Sequence, residues 1–574
     1  MATEPEFAFG PFRFDAKGRV LFRGPKDLGL PPKAADTLHL LLENAGDVVN
    51  KDKLLDTVWS GVVVGEGSLA RTISILRKAL GGDDASRAYI ATVSKRGYRF
   101  VAPLDHRVDA PRDAQRVMLL VLPFENSSSR RPHDYFSDGL TEEMIAQLAR
   151  LNPERLGVIA RATSLMFKGN KRRVREIGRE LGVQFVLEGS VRRSPGSVRI
   201  AARLIQVADE TQIWAESYQR RPGDVLRLQS EVAATIAGEI KVKLTPAAPR
   251  VESMREMPAQ AFEALLKGRH YLNQRLERTM RTSIAHFETA LHHCPDCAGA
   301  YAGIAEANVM LACRGMVPAK ETFRQSAQAA RKAIELDPSQ GDAHGSLAHV
   351  RLHDWDWVGL DEQFRRATEL APSLPLVYYW YGEFLMSQGK PEEAIASTAR
   401  ALRLDPLAPV VRSSYSMILY LARQYDRASE ILVNAIETSP DHFLPHMRLG
   451  LVRIQQKQFP EAIQQMKIAT RLAEESTESQ ASLAMAYAAS GDRVSATRIT
   501  RKLENLRGRR YVLPYNIAKI YAAGGDRKHA FDWLETAYEG GNPDLIELNS
   551  EPLFDCLRTD RHLAHLMRRI GWVV

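Results

Sequence analysis

The feature that most constrains the fold of this chain is a repeat with a period of 34 residues in its C-terminal half. One phase of the repeat is occupied by Ala333, Ala367, Ala401, Ala435, Ala469, Leu503 and Ala537. A second phase, seven residues earlier, is occupied by Ala394, Ala428, Ala462, Ala496 and Ala530. A fixed period of this length predicts stacked copies of one small helical unit rather than a single core.

The residues around these phases predict two helices in each unit. Asp337-Pro338 follows the first shared alanine and predicts the end of a second helix, and small residues such as Gly382 let two helices approach closely. This pattern resembles the tetratricopeptide repeat. We expect an all-α solenoid of roughly eight repeats at 261–540. The resemblance implies a concave face that binds a protein or peptide partner, and the alternative is an array that only spaces or dimerises the chain.

Two further segments belong to this half of the chain. Residues 541–574 resemble a C-terminal capping segment. The hexapeptide HHCPDC at 292–297 has the C-x2-C spacing of a metal site, but Cys313 and Cys556 supply no second pair of that kind. We therefore predict no metal site and no cofactor.

The first hundred residues have a different pattern. Short alternating runs between Phe9 and Leu30 predict antiparallel strands. A helix is predicted at 33–44, a second follows an N-cap at Asn50, and a third follows an N-cap at Ser68. Two strands, YIATV and YRFVA, are then joined by the turn SKRG.

The third helix has a predicted buried side and a predicted free side. Leu69, Ile73, Leu76 and Leu80 form an apolar stripe at helical spacing. The residues left on other faces are Arg71, Thr72, Ser74, Ile75 and Lys78, with Arg77 near the boundary. Trp59 is predicted to lie in the core.

Residues 1–105 resemble the OmpR/PhoB-type winged helix-turn-helix DNA-binding domain. The resemblance rests on the helix ISILRKAL and on the hairpin after it, which ends in the strand GYRF. It implies a recognition helix at 68–80 in the major groove and a wing at 92–98 on phosphates. The implied DNA contacts are Ser68, Arg71, Thr72, Ser74, Ile75, Arg77, Lys78, Thr92, Ser94, Lys95, Arg96 and Tyr98. Packing remains the alternative for Ile75 and Tyr98, and a surface ion pair remains the alternative for Arg71.

Charge is distributed in agreement with that resemblance. Residues 67–100 contain seven basic and two acidic side chains, whereas residues 1–66 contain eight basic and ten acidic ones. Neutralising DNA phosphates requires positive charge on the face that meets DNA. The sequence therefore predicts that Lys95 and Arg96, at the tip of the hairpin, contact phosphates.

A middle domain of the α/β class is predicted at 117–245, between linkers at 106–116 and 246–260. Its pattern resembles the FlgO/TolB-N-terminal-like domain. Thr141 is a plausible N-cap of the helix predicted at 137–151, and early Glu142 and Glu143 favour the N-terminus of that helix. We expect these carboxylates and Asp138 to stabilise structure and not to act in catalysis. No phosphate-binding loop, nucleophile elbow or dinucleotide fingerprint is present.

Composition limits the compartment in which the chain is expected to work. The longest apolar run has about eight residues, at 117–124, whereas a membrane span needs about 20. The first residues do not resemble a secretory signal, and four cysteines in 574 residues fit a reducing environment. We expect a cytoplasmic protein without a membrane span.

The expected fold is multidomain: a winged helix-turn-helix domain of the α+β class, a small α/β domain and an all-α solenoid. The nearest overall architecture is that of the soluble HilA-type regulators, and the CadC/ToxR group differs in having a membrane span. The sequence predicts a non-enzymatic regulator that binds double-stranded DNA, and dimerisation on DNA is a hypothesis. The alternatives are a repeat scaffold, or a signalling protein related to cyclases that carry the same repeats.

Overall fold

The computed structural model describes residues 6–9, 12–15, 19–23, 26–45, 48–59, 66–80, 89–93, 97–101, 116–127, 134–151, 155–169, 172–194, 197–220, 232, 235–236, 238–239, 257–473, 476–507 and 510–572. The chain divides into two compact units, Met1–Ala114 and Gln115–Val574. Most of the predicted linkers lie outside the described residues.

The described residues of the first unit form two small sheets and three helices. The first sheet is antiparallel and comprises β1 (Glu6–Phe9), β2 (Phe12–Asp15), β3 (Val20–Arg23) and β4 (Lys26–Asp27). The following elements are α1 (Pro32–Glu43), β5 (Val48–Asn50), α2 (Lys51–Val58), α3 (Glu66–Ala79), β6 (Ile90–Val93) and β7 (Gly97–Phe100). The second sheet has the order β5-β7-β6. The predicted winged-helix pattern is confirmed.

The core of this unit joins the apolar stripes of its helices to the end of the hairpin. Leu38 of α1, Leu54 of α2, Leu76 of α3 and Phe100 of β7 are all fully buried. Trp59 is buried as predicted, with 9% of its surface exposed. The predicted cap of α2 is also confirmed, since the side chain of Asn50 accepts a hydrogen bond from the Lys53 backbone N–H at 2.7 Å.

The second unit begins with a mixed α/β domain. Its strands are β8 (Val117–Val121), β9 (Glu125–Asn126), β10 (Leu156–Val158), β11 (Phe185–Ser194), β12 (Ser197–Gln206) and β13 (Thr211–Arg220). They form one sheet in the order β10-β8-β11-β12-β13, with β9 paired to β11. The pairs of β8 with β10 and β11 are parallel, and the two long hairpin pairs are antiparallel. Three helices of this domain are described along their whole length: α4 (Asp134–Leu151), α5 (Arg161–Leu165) and α6 (Val174–Leu181).

Helix α4 begins earlier than the sequence predicts, so the predicted N-cap at Thr141 is wrong. Thr141 lies inside the helix, where its hydroxyl donates to the Ser137 carbonyl and accepts from the Phe124 backbone N–H. The apolar residues Phe136 and Leu140 are buried under the sheet, which extends the helix toward its N-terminus. Glu142 and Glu143 therefore lie in the middle of α4 and not in its first turn.

The rest of the second unit is a helical array. Its helices are α7 (Ala259–Leu272), α8 (Glu277–His293), α9 (Ala298–Cys313), α10 (Ala319–Leu336), α11 (Gly341–His353), α12 (Leu360–Leu370), α13 (Pro375–Ser387), α14 (Pro391–Leu404), α15 (Pro409–Leu421), α16 (Tyr425–Thr438), α17 (Phe443–Gln455), α18 (Phe459–Leu472), α19 (Thr477–Ser490), α20 (Arg493–Leu506), α21 (Pro514–Ala523), α22 (Arg527–Glu539) and α23 (Arg561–Ile570). Two 3-10 helices, Pro543–Glu547 and Pro552–Leu557, precede α23.

The repeat read from the sequence corresponds to helix pairs in the structure. The residues of its two small phases are all buried, which explains why the period is strictest there. A Cβ added to Gly382 would lie 2.5 Å from Thr398 Cγ2, and one added to Gly450 would lie 2.5 Å from Met466 Cγ. Gly382 and Gly450 occupy a third position of the repeat, and the absence of a side chain there lets the two helices of one repeat pack closely.

The first helices of successive repeats pack on one another and form the inner face of the array. The C-terminal segment 543–557 lies against this face. The Pro543 carbonyl accepts from His353 Nδ1 at 2.9 Å, and Glu551 accepts from the Tyr420 hydroxyl at 2.7 Å and pairs with Lys519 at 3.4 Å. Part of the face on which a partner was predicted is thus covered by the chain itself.

The α/β domain is docked on the array at its middle repeats. The Ala160 N–H donates to the Leu404 carbonyl at 2.7 Å, and the Thr163 N–H donates to Asp405 Oδ1 at 2.6 Å. In the opposite direction, the Leu407 N–H donates to Thr163 Oγ1 at 2.9 Å. Burial raises the pKa of the Asp405 carboxyl to about 6.

In the described part of the chain, no helix is long and apolar enough to cross a membrane.

Candidate nucleic-acid interface

Helix α3 presents a polar face to solvent because its apolar stripe is used in the core. Leu69, Ile73, Leu76 and Leu80 are at most 2% exposed, as predicted. Five of the predicted contact residues lie on the opposite, exposed side: Ser68, Arg71, Ser74, Ile75 and Lys78. One face of a single helix therefore combines two cations, two hydroxyls and one apolar side chain.

Thr72 does not belong to this face, and its predicted place outside the buried stripe is wrong. Only 7% of Thr72 is exposed, and its hydroxyl donates to the Ser68 carbonyl one turn earlier at 2.9 Å. That bond satisfies the hydroxyl within the helix, so a small polar residue is accepted next to the core. Ser68 is likewise inside the helix and is not its N-cap, because α3 begins at Glu66.

Arg77 connects the candidate recognition helix to the hairpin. Its guanidinium donates to the Ile90 carbonyl and to Thr92 Oγ1, both at 2.8 Å from Nη2. The planar guanidinium offers several donors in fixed directions, so one side chain joins α3 to the first hairpin strand. Sequence reasoning assigned Arg77 to DNA and missed this bracing role, because the helical pattern does not show which strand packs beside Arg77.

The base of the hairpin is held by a third strand that the sequence pattern did not reveal. In the antiparallel register, Gly97 lies opposite Val93 on one side and Asn50 on the other. A Cβ added to Gly97 would lie 2.0 Å from the Val49 carbonyl oxygen, and the φ of Gly97 is +152°. The glycine among the basic residues is therefore required by the close approach of β5.

The predicted wing residues fall into three groups. Thr92 is exposed, and its hydroxyl accepts from Arg77. Tyr98 is 9% exposed and packs in the core of the first unit. Ser94, Lys95 and Arg96 lie outside the described residues.

An exposed helix face of this composition beside a braced hairpin has the properties needed to bind double-stranded DNA. Arginine and lysine side chains hydrogen-bond guanine edges or phosphates, hydroxyls accept or donate to either, and an apolar side chain can contact a thymine methyl. The width of an α-helix fits the major groove.

The three carboxylates considered in the α/β domain are all paired with cations. Lys168 Nζ lies 2.8 Å from Asp138, Arg161 Nε lies 3.2 Å from Glu142, and Arg269 pairs with Glu143. Arg269 belongs to α7 of the array, so the last pair joins the two parts of the second unit.

A cavity of about 1250 Å³ lies between the α/β domain and the inner side of the array. Its walls include Gln147 of α4, Leu272 of α7, Met310 of α9 and Tyr379 of α13. Arg275 and Glu306 also line it and are bonded to each other at 2.8 Å. A mixed apolar and charged lining of this volume suits a small organic ligand or the end of a peptide.

Family models match three segments of the chain. Residues 25–100 match the family described as "Transcriptional regulatory protein, C terminal". Residues 114–235 match "HilA/YgeH-like transcriptional regulator, second domain", and residues 362–409 match "Tetratricopeptide repeat". The chain thus combines an OmpR/PhoB-type domain, a HilA-like domain and tetratricopeptide repeats. The first and third were predicted by resemblance, whereas the middle segment, predicted to resemble the FlgO/TolB-N-terminal-like domain, matches the HilA/YgeH-like family.

Three relatives illustrate how these parts are combined elsewhere. The transcriptional regulator HilA of Salmonella typhimurium is 26% identical over 411 residues, which are 70% of this chain and 71% of HilA. The transcriptional activator CadC of Escherichia coli is 39% identical over 83 residues, 14% of this chain and 16% of CadC. A putative adenylate cyclase of Rhizobium meliloti is 34% identical over 242 residues, and the match covers 42% of this chain and 40% of the cyclase.

Proposed function

We propose that this chain is a DNA-binding transcription regulator whose second unit receives a signal. The winged helix binds double-stranded promoter DNA through the exposed face of α3 and the wing at 92–98. The observation that carries the proposal is the contiguous exposed face of Arg71, Ser74, Ile75 and Lys78 on a helix braced to a hairpin by Arg77. The regulatory names of HilA and CadC support it.

Within this proposal, the roles of the contact residues follow their chemistry. Arg71 and Ser74 face base edges, Ile75 contacts a thymine methyl, and Lys78 lies near the backbone. Lys95 and Arg96 contact phosphates. Arg77 and Tyr98 position the interface, since one joins helix to hairpin and the other is buried.

The test is selection of bound sequences from genomic DNA by the full-length chain at two salt concentrations. We expect one sequence motif, and we expect the double variant Arg71→Ala/Lys78→Ala to lose it. Lys320→Ala, an exposed cation on the array, is a control that removes charge from another part of the chain. Binding that is blind to sequence, or equal loss with Lys320→Ala, would contradict the proposal and favour the repeat scaffold.

For the signal, the cavity between the α/β domain and the array is a better candidate than the whole inner face. The segment 543–557 covers part of that face, whereas the cavity has walls from both parts of the second unit. We propose that a small ligand or peptide end binds there. A thermal-shift screen of the wild-type chain should find a stabilising compound whose effect is lost in Gln147→Trp, which fills the cavity.

The proposal assigns no catalysis to the chain, although one relative is named a putative cyclase. We expect no conversion of ATP or GTP to cyclic nucleotides by the purified chain, and measurable turnover would contradict this. A DNA target also implies a cytoplasmic location and permits dimerisation on tandem sites. Mass photometry of the chain with one and with two binding sites measures that stoichiometry.

A further inference from the structure

Three side chains that could bind a metal converge in the array, away from the candidate DNA interface. They are Cys313 at the end of α9 and His349 and His353, one turn apart on α11. Cys313 Sγ lies 3.2 Å from His349 Nε2 and 3.7 Å from His353 Nε2, and the two Nε2 atoms are 3.0 Å apart. The histidines are 2% and 8% exposed.

These separations are close to those of a zinc site. With Zn–S of about 2.3 Å, Zn–N of about 2.0–2.1 Å and tetrahedral angles, S···N distances are about 3.6 Å and N···N distances about 3.3 Å. Two imidazoles and one thiolate form a donor set that suits Zn²⁺. Three protein ligands leave a fourth position for water.

Hydrogen bonds around the cluster orient one imidazole for coordination. His353 Nδ1 lies 2.9 Å from the Pro543 carbonyl, which only accepts, so Nδ1 carries the proton and Nε2 carries a lone pair. This lone pair points at His349 Nε2 and Cys313 Sγ. A backbone carbonyl on the far nitrogen is a common outer partner of a metal-bound histidine.

A hydrogen-bond network without a metal leaves atoms of this cluster unsatisfied. If His349 Nε2 donates to His353, then His349 Nδ1 must accept, yet its neighbour is Glu383 Oε2 at 3.8 Å. Neither of these two buried atoms has a hydrogen-bond partner in the described part of the chain. If a cation takes both Nε2 lone pairs, His349 Nδ1 carries a proton that faces a carboxylate.

The charges of the side chains also suit a divalent cation. Zn²⁺ would coordinate Cys313 as a thiolate, with the Glu383 carboxylate 3.8 Å from His349 Nδ1, and its binding would release the thiol proton to solvent.

We propose that Cys313, His349 and His353 bind one Zn²⁺ ion, with water as the fourth ligand and with Glu383 and the Pro543 carbonyl as outer partners. The site joins α9 to α11. Through His353 it also holds the segment 543–557 on the inner face of the array. The proposal is independent of DNA binding.

The test uses the full-length chain, freed of metal with a chelator and titrated with Co²⁺ as a spectroscopic probe. We expect one equivalent to bind with tetrahedral visible bands and a thiolate-to-cobalt charge-transfer band, and Zn²⁺ to displace it. Cys313→Ser should lose the charge-transfer band, and His353→Gln should lower the affinity at least tenfold. Cys556→Ser, at an exposed free cysteine, should behave like the wild type.

The wild-type titration decides the question even if a variant fails to fold. A wild-type spectrum without the thiolate band, or copper in place of zinc in the purified chain, would overturn the assignment. So would a band that survives Cys313→Ser and disappears in Cys294→Ser/Cys297→Ser, because the metal would then lie at 292–297. Chelation should also increase hydrogen exchange in 543–557 of the wild type, and unchanged exchange would overturn the link to that segment.

Discussion

At the scale of single residues, two side chains determine the geometry of the candidate DNA interface without belonging to its exposed face. Arg77 fixes the distance between α3 and the first hairpin strand, and Gly97 allows the second strand to meet β5. Gly97 thereby lies in the middle strand of a three-stranded sheet. In the first unit, the residues that position the candidate interface are thus different from those on its exposed face.

Substitutions of Arg77 and of its neighbour Lys78 should change DNA binding in different ways. Arg77→Lys keeps the charge but loses the paired bonds to Ile90 and Thr92, so we expect a several-fold loss of DNA affinity with little change in salt dependence. Lys78→Ala should lower the slope of log affinity against log salt by about 1. Binding isotherms at four salt concentrations measure both. Identical slopes in the two variants would contradict the separation of roles.

At the scale of elements, the array is built from helix pairs whose contacts depend on small residues. Gly382 of α13 meets Thr398 and Ala394 of α14, and the Thr398 hydroxyl is itself bonded to the Ala394 carbonyl at 2.8 Å. The neighbour that an added methyl group would touch is therefore held in place.

Gly382→Ala should consequently destabilise the second unit despite the higher helix propensity of alanine. Overpacking costs about 1–3 kcal/mol and the propensity gain is up to about 1 kcal/mol, so we expect a net loss of about 1–2 kcal/mol. Gly299→Ala is the matched control, because the nearest atom to an added Cβ is Arg269 Nη2 at 3.4 Å, almost 1 Å farther away than Thr398 Cγ2 is from a Cβ at Gly382. Chemical denaturation measures both, and equal midpoints would refute the packing argument.

The segment 543–557 is held on the inner face by a buried ion pair. The side chains of Glu551 and Lys519 are 0% and 6% exposed, and Glu551 also accepts from Tyr420. Because removing one partner leaves the other charge buried, we expect Glu551→Ala to cost about 3–5 kcal/mol. Lys519→Met/Glu551→Leu should recover most of the loss.

The denaturation midpoints of these variants give the comparison. The exposed pair of Arg366 and Glu369 provides the control, since Glu369→Ala should cost at most about 1 kcal/mol. If the double variant were as unstable as Glu551→Ala, the ion pair would not be the source of the loss.

At the scale of the whole molecule, the second unit combines two folds of different class. They meet in a shared apolar core, to which α7 contributes Phe262 and Leu266, and in backbone bonds at 404–407. Asp405 lies at this junction, where it accepts from the Thr163 N–H and is buried, with 4% of its surface exposed. The junction also closes one side of the cavity. A change in docking would therefore alter the cavity and the array together.

Docking at this junction should weaken as pH rises from about 4 to 6. Burial raises the pKa of Asp405 from 3.8 to about 6, so the docked state keeps a proton that the undocked state has lost in this range. Hydrogen exchange of the Ala160 and Thr163 amides, corrected for intrinsic rates, measures docking. We expect protection to fall with pH in the wild type relative to Asp405→Asn. Parallel curves would contradict the assignment.

Repetition and periodicity by themselves determined the fold class of the array and the buried side of α3. The 34-residue period predicted the helix pairs because a buried phase tolerates only small side chains, and the stripe from Leu69 to Leu80 predicted the buried side of α3. That stripe also predicted that Arg71, Ser74, Ile75 and Lys78 are exposed. It wrongly predicted exposure for Thr72, which is buried because its hydroxyl is satisfied within the helix.

Only the tertiary structure decided which distant residues meet. The segment 543–557 on the inner face and the cluster of Cys313 with His349 and His353 join residues far apart in sequence. The brace from Arg77 to β6 joins closer residues, but it likewise follows from no periodic pattern. The spacing of the two histidines was visible in the sequence, but the thiol that faces them was not. Periodicity reports which side of a helix is buried, and the partner on that side is set by the path of the chain.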